Sequence, residues 1–190
     1  GAEVPGSGSN FPAVKSALEV TGAWQVQFDP SWFYPDNGTG GKVPFEKLED
    51  WTQRPEEAVK YYSGIAVYRK TFEVPSEIQN PKSKIYLSLG AVKNVARVRL
   101  NGRDLGVAWT APWRVEITGA LKPGANDLEI EVANLWPNRL IGDAKLPQQQ
   151  RRTVTNVRTY DTTDKESGRK SPERKNAAES AGLLPSGLLG

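Results

Sequence analysis

Short runs in which apolar and polar residues alternate recur along the chain. Trp24, Val26 and Phe28 alternate with Gln25 and Gln27, and Ile85, Leu87 and Leu89 with Tyr86 and Ser88. Trp113, Val115 and Ile117 alternate with Arg114 and Glu116, and Leu128, Ile130 and Val132 with Glu129 and Glu131. A period of two marks a strand with one buried face and one wet face. Tyr62 to Phe72 supplies a further strand region upstream. At Leu100-Asn101-Gly102-Arg103 the Asn-Gly pair supplies the positive backbone dihedrals of a type I′ turn, so Ala96 to Leu100 and Arg103 to Val107 are predicted to fold back as a hairpin. Leu121 to Asn126 reads as a turn feeding the run Asp127 to Asn134. Many short strands bounded by Gly, Pro, Asn or Asp predict an all-β, antiparallel sandwich or barrel with few short helices.

Helical signals are sparse. Phe45 to Trp51 suits a brief turn, and Pro55-Glu56-Glu57-Ala58-Val59 reads as a helix start, with Pro in the first turn and acids near the positive end of the dipole. No segment sustains a 3.6-residue period. A long insertion, Asp29 to Tyr61, holds Trp32, Phe33, Tyr34, Trp51 and Tyr61, and loops of that length are usually functional or packed by their own side chains. The expected organisation is a linker over residues 1–19, a sandwich over 20–145 and a polar tail over 146–190, whose Leu183-Leu184 and Leu188-Leu189 return as a last strand or dock.

Composition narrows the chemistry. The 190 residues suffice for one sizeable core. Hydrophobic content of 37% and a mean hydropathy of −0.56 come with no apolar run long enough for a transmembrane helix, so no membrane partner is expected. The absence of Cys removes disulfides and thiolate zinc sites, and the absence of His removes the Ser-His-Asp triad and most transition-metal sites. The lack of Met points to a processed product, an excised domain or a fragment. Net charge is +3 with pI ≈ 9.1. The cations between Arg151 and Lys175 are interleaved with Asp161, Asp164, Glu166 and Glu173, which favours a solvated tail over a nucleic-acid arm.

The blocks Tyr62 to Phe72, Val98-Arg99-Leu100-Asn101-Gly102, Gly106, Leu121 to Asn126 and Val132-Ala133-Asn134 resemble the sugar-binding domain of family 2 glycoside hydrolases, a galactose-binding-like jelly roll. Trp109 to Val115 and Asn134 to Asp143 resemble the C-terminal β-sandwich region of large α-L-rhamnosidase-type enzymes of glycoside hydrolase family 106. The resemblance covers roughly Gly22 to Asp143 and rests on the ordered combination of blocks. It implies an antiparallel β-sandwich of jelly-roll type in a secreted or periplasmic bacterial protein. In such enzymes the catalytic carboxylates lie in a separate barrel, so no catalytic residue is carried over. The ending Ser186-Gly187-Leu188-Leu189-Gly190 is similar to the approach to that family's closing strand, which is expected to be cut short here.

A sugar site wants aromatic faces for the C–H faces of pyranose rings, and planar polar groups for hydroxyls, within one concave patch. Two clusters offer the mixture: Trp32, Tyr34 and Trp51 with Asp36 and Asn37, and Trp109 and Trp136 with Asn138, Arg139 and Asp143. The alternative for each is loop packing or docking against a neighbouring domain. Asp29, Asp36, Asn37 and Asp50 are candidate oxygen ligands for a structural Ca²⁺, the one cofactor considered. Asp36 to Lys42 departs from a phosphate loop at Asp36 and Val43, and Asn37-Gly38-Thr39 is a glycosylation sequon only in a eukaryotic secretory setting. Trp24 and Trp113 share faces with strand residues and are expected in the core. Glu116, Glu129 and Glu131 fall on wet strand faces. Three readings follow: a noncatalytic carbohydrate-binding or accessory module of a large glycoside hydrolase, with polysaccharide or oligosaccharide and a catalytic domain as partners; a purely structural domain bracing a catalytic barrel; and a small glycoside hydrolase using an Asp/Glu pair.

Overall fold

The computed structural model describes residues 18–33, 39–78, 84–153 and 182–190. Within them the strands are β1 Trp24–Gln27, β2 Lys42–Phe45, β3 Ile65–Val74, β4 Tyr86–Ser88, β5 Val92–Lys93, β6 Val95–Leu100, β7 Arg103–Ala108, β8 Arg114–Glu116, β9 Gly124–Ala133 and β10 Gly187–Leu188. Two helices interrupt them, α1 Glu57–Lys60 and α2 Pro137–Ala144. One six-stranded sheet runs β2-β1-β3-β9-β6-β7 with antiparallel pairing throughout, and the ladders β4–β8 and β5–β10 are also antiparallel. The fold is thus an all-β, galactose-binding-like sandwich.

The alternating pattern selects the buried face. Val26, Tyr68, Ile130, Val98 and Leu100 line the inner face of the sheet, and Val92, Val115 and Leu188 of the smaller ladders, with Leu89 and Ile117 just past their ends, join them in one core. Trp24 is buried in that core, while Trp113 is half-buried against it. The outer face carries charge: Arg69 pairs with Glu129 (2.9 Å), and Arg99 with Glu129 (2.7 Å) and Glu131 (2.5 Å). Glu116 pairs with Lys84 at 2.7 Å. Asn101 and Gly102 adopt φ of 53° and 79°, so a type I′ turn joins β6 to β7. Gly supplies one of these positive angles without steric cost, and Asn tolerates the other.

Two elements escape the periodicity argument. The insertion contains strand β2, whose Pro44 argues against a strand interior. Yet β2 is an edge strand, where a missing N–H is tolerated. Helix α2 spans only eight residues, and its buried positions include Asn138, Arg139 and Asp143, so no apolar stripe announces it. Pro137 in its first turn is the one local signal.

Residues 1–17 of the expected linker and 154–181 of the expected tail lie outside the described residues. The chain returns at β10, where Gly187 and Leu188 pair with Lys93 and Val92. No described helix is long and apolar enough to cross a membrane.

Candidate functional site

The site is built on α2. Arg139 and Asp143, four residues apart on one helix face, form a buried ion pair. The Arg139 backbone N–H donates to Ser63 Oγ at 3.2 Å, which ties the helix start to the loop before β3. The second oxygen of Asp143 accepts from the backbone N–H groups of Arg152 (3.1 Å) and Thr153 (2.7 Å) and from Thr153 Oγ1 (2.5 Å). Burial pushes the Asp143 carboxyl up, but Arg139 and Thr153 outweigh it and hold the group below the ordinary carboxylate range. One carboxylate therefore anchors both the helix and the segment that follows it.

That anchorage places cations over aromatic rings. The Arg139 guanidinium lies 5.0 Å from the Trp32 ring centre and that of Arg152 5.5 Å from it. Arg152 also donates to the Ser31 carbonyl. Lys145 Nζ donates to Tyr61 Oη at 2.8 Å. Arg151 donates to the carbonyls of Leu146 (2.8 Å) and Ala144 (3.1 Å), a favourable position for a cation at a helix C-terminus. Gly142 allows this packing, since a Cβ there would lie 2.6 Å from Tyr61 Cβ. The result is a groove of about 730 Å³ walled by Trp32, Tyr61, Arg139, Lys145 and Arg152. Its size is that of a small-molecule site.

Of the residues singled out from sequence, the groove unites Trp32 and Arg139, with Asp143 directly behind Arg139. Asn138 instead clips the chain end: it donates to the Leu184 carbonyl (2.7 Å) and Ser186 Oγ (2.9 Å) and accepts from Leu184 N (2.8 Å). Trp51 is a correction. It is fully buried, packed edge-on against Phe28 and Tyr62, and donates to Tyr68 Oη at 2.6 Å, so it has no face to offer a sugar. Trp109 (72% exposed) and Trp136 (59%) do not line the groove. Tyr34, Asp36 and Asn37 lie outside the described residues.

Asp29 and Asp50 cap short helical turns, accepting from Ser31 N and Thr52 N, both at 2.9 Å, and Asp50 also accepts from Ser186 N at 3.0 Å. No three acidic side chains that could hold a metal ion converge among the described residues, and Asp36 and Asn37 of the expected Ca²⁺ set lie outside them. Sequence reasoning missed Tyr61, Lys145 and Arg152 as site residues. The adjacent Arg151-Arg152 was visible only as part of a charged tail, because its placement depends on Asp143. A second hollow, about 450 Å³ on the outer sheet face, is lined by Arg69, Arg99 and Glu129, whose charges are committed to one another.

A six-stranded antiparallel sheet backed by short ladders, with loops and one helix gathered at its end, is the galactose-binding-like architecture. The chain belongs to the glycosyl hydrolase 2 galactose-binding domain-like family, whose model matches residues 46–176. It is 40% identical over 184 residues to a Formosa agariphila protein named "Putative beta-glucuronidase", a match covering 94% of this chain and 15% of that protein. Among solved structures it is similar to a rhamnosidase from Novosphingobium sp. PP1Y, with a TM-score of 0.67 and 34% identity over 96% of this chain and 16% of that one. A β-glucuronidase from Ruminococcus gnavus, solved with D-glucuronic acid, shares the fold at a TM-score of 0.52 and 22% identity, over 65% of this chain and 23% of that one. The chain thus spans about one-sixth of the length of its more similar relatives.

Proposed function

We propose that this chain is a noncatalytic carbohydrate-binding module of a larger secreted glycoside hydrolase of the α-L-rhamnosidase or β-glucuronidase kind. The observation that carries the reading is the groove at α2, where two aromatic rings and planar or pointlike hydrogen-bond donors share one concavity. A pyranose ring would lay its C–H face on the exposed part of the aromatic wall while Arg152 and Lys145 donate to its oxygens. Among the described residues the groove offers no hydrolytic pair, since Glu57 is the one acid on its wall and Asp143, behind Arg139, is occupied by Arg139 and Thr153. The testing experiment is a glycan array followed by calorimetry on this chain. Saturable binding to an oligosaccharide supports the module, and binding to none refutes it.

A second reading, a domain bracing a catalytic barrel, is favoured by one observation. Ile65 and Val95 both pair with Ala133 at one end of the outer sheet face, and Val107, Trp109, Leu135 and Trp136 continue this region of exposed apolar side chains. Apolar surface gathered in this way marks a protein contact. The two readings are compatible, because the groove and this face use different residues. Replacing Trp109 and Trp136 by Ser within the longer polypeptide and measuring protease release of the domain tests the bracing role; unchanged release counts against it.

A further inference from the structure

Among the described residues the charges of the groove do not balance. Arg139 has Asp143 behind it, but Lys145, Arg151 and Arg152 make no ion pair with any described carboxylate, and the one acid among the described wall residues is Glu57. Elsewhere among the described residues Arg54, Arg69, Lys84, Arg97 and Arg99 each sit against at least one carboxylate, and other cations such as Lys42, Lys93 and Lys122 make no ion pair; what marks the groove is that three unpaired cations line one recess. A cluster of cations without counter-charges repels itself in a recess that excludes part of the solvent, and an anion entering the recess relieves that repulsion.

A second observation is independent of the charge count. Arg139 is nine-tenths buried, borders the groove, and its Nε–H finds no acceptor, the one such buried side-chain atom among the described residues. An unpaired buried donor costs free energy, and a guanidinium that turned toward an oxyanion in the groove would recover that cost through a charge-assisted hydrogen bond. We propose that this groove selects a saccharide bearing an anionic group, a carboxylate or a sulfate ester. The anion sits between Arg152, Lys145 and Arg139, and the sugar ring lies along Tyr61 and the Trp32 edge. The inference rests on the saccharide-binding reading above and adds the ligand class to it. Guanidinium and ammonium groups give charge-assisted hydrogen bonds to either anion, and the aromatic wall supplies the apolar contact that a free inorganic ion cannot use.

The test is calorimetry on the whole 190-residue chain at low and physiological salt. Five probes are titrated: a glucuronate-terminated disaccharide, its carboxyl-reduced neutral counterpart, a disaccharide carrying one sulfate ester, sodium sulfate, and polyglutamate. At least one acidic disaccharide is expected to bind ten-fold or more tightly than the neutral one. Lys145→Gln with Arg152→Gln is expected to abolish that preference without moving the melting temperature, because both side chains are exposed. Lys84→Gln, in a surface pair with Glu116 away from the groove, serves as control. Whichever acidic disaccharide binds identifies the anion. Equal binding of neutral and acidic disaccharides, unaffected by the double variant, overturns the anionic selectivity and leaves the saccharide site standing. Binding of sodium sulfate as tight as that of the sulfated disaccharide means an adventitious ion only, and overturns the inference. Binding of no disaccharide, with polyglutamate binding in a Lys145- and Arg152-dependent way, means an acidic protein segment and overturns both readings.

Discussion

Asn126 near the start of β9 and Asn134 just past its end do comparable work, roughly 27 Å apart along one strand. They differ in where their partners come from. Asn126 is fully buried and exchanges hydrogen bonds with Lys122 N (3.0 Å), the carbonyls of Lys122 (2.7 Å) and Gly124 (2.8 Å), and Asn101 Nδ2 (2.8 Å). Asn101 in turn accepts from Asp127 N at 3.0 Å and donates to the Ala120 carbonyl at 2.9 Å. That end is closed by neighbouring turns. At the other end Asn134 joins Tyr62 O (2.8 Å), Gly64 N (2.9 Å) and Ser186 Oγ (3.1 Å), drawing on segments far apart in the chain. There the accounting is incomplete among the described residues: Arg139 Nε is left over, and three cations make no ion pair with a described carboxylate. The turn end spends its polar groups on holding strands together. The helical end holds segments together and has donors to spare, which is where recognition chemistry can operate.

The comparison can be broken by substitution. Trp51→Ala should have the largest effect, about 4 kcal/mol in urea unfolding, because it empties a fully buried site and deprives Tyr68 Oη of a donor. Since Gly187 of the chain end lies against the Trp51 indole, the variant should release residues 182–190 to protease; an intact chain end would show that the Trp51 side chain does not hold it. Asn126→Ala should cost about 3 kcal/mol, because a fully buried amide is removed together with its four hydrogen bonds. It should leave saccharide binding at the other end unchanged, and a joint loss would mean that the two ends are not independent.

Asp143→Asn should cost about 2 kcal/mol, less than full removal because hydrogen bonding is partly retained. The pH dependence follows from the depressed carboxyl. Its folded value lies below the unfolded one, so its stabilisation is complete above the ordinary carboxylate range and is lost as pH falls through the folded value. Wild type should therefore lose stability more steeply than Asp143→Asn below about pH 4; parallel acid titrations would contradict this. The smallest effect belongs to Trp109→Ser, within about 0.5 kcal/mol by thermal melting, because the indole is largely exposed. A large loss would place Trp109 in the packing of the isolated domain.

Legibility in the sequence followed the same divide. The Asn101-Gly102 turn, the Leu128-Ile130-Val132 face and the wet glutamates were readable because each depends on its immediate neighbours. Trp32 and Arg139 were recognisable as residue types suited to sugars, yet they were assigned to separate clusters. Nothing local says that Arg139 stacks on Trp32 across more than a hundred residues. Trp51 was misread for the complementary reason: an aromatic in a long loop looks available until the loop is seen folding it beneath β10. Helix α2 hid because its buried face is polar.

The sequence alone thus determined the all-β class, the hairpin and the inner face of the sheet, since these rest on a two-residue period and on turn stereochemistry acting over a few positions. Tertiary structure alone decided which aromatics stayed available and which cations gathered. Burial and charge pairing are set by segments remote in sequence, and Asp143 brings the chain after α2 across Trp32 by hydrogen bonds that no local pattern specifies.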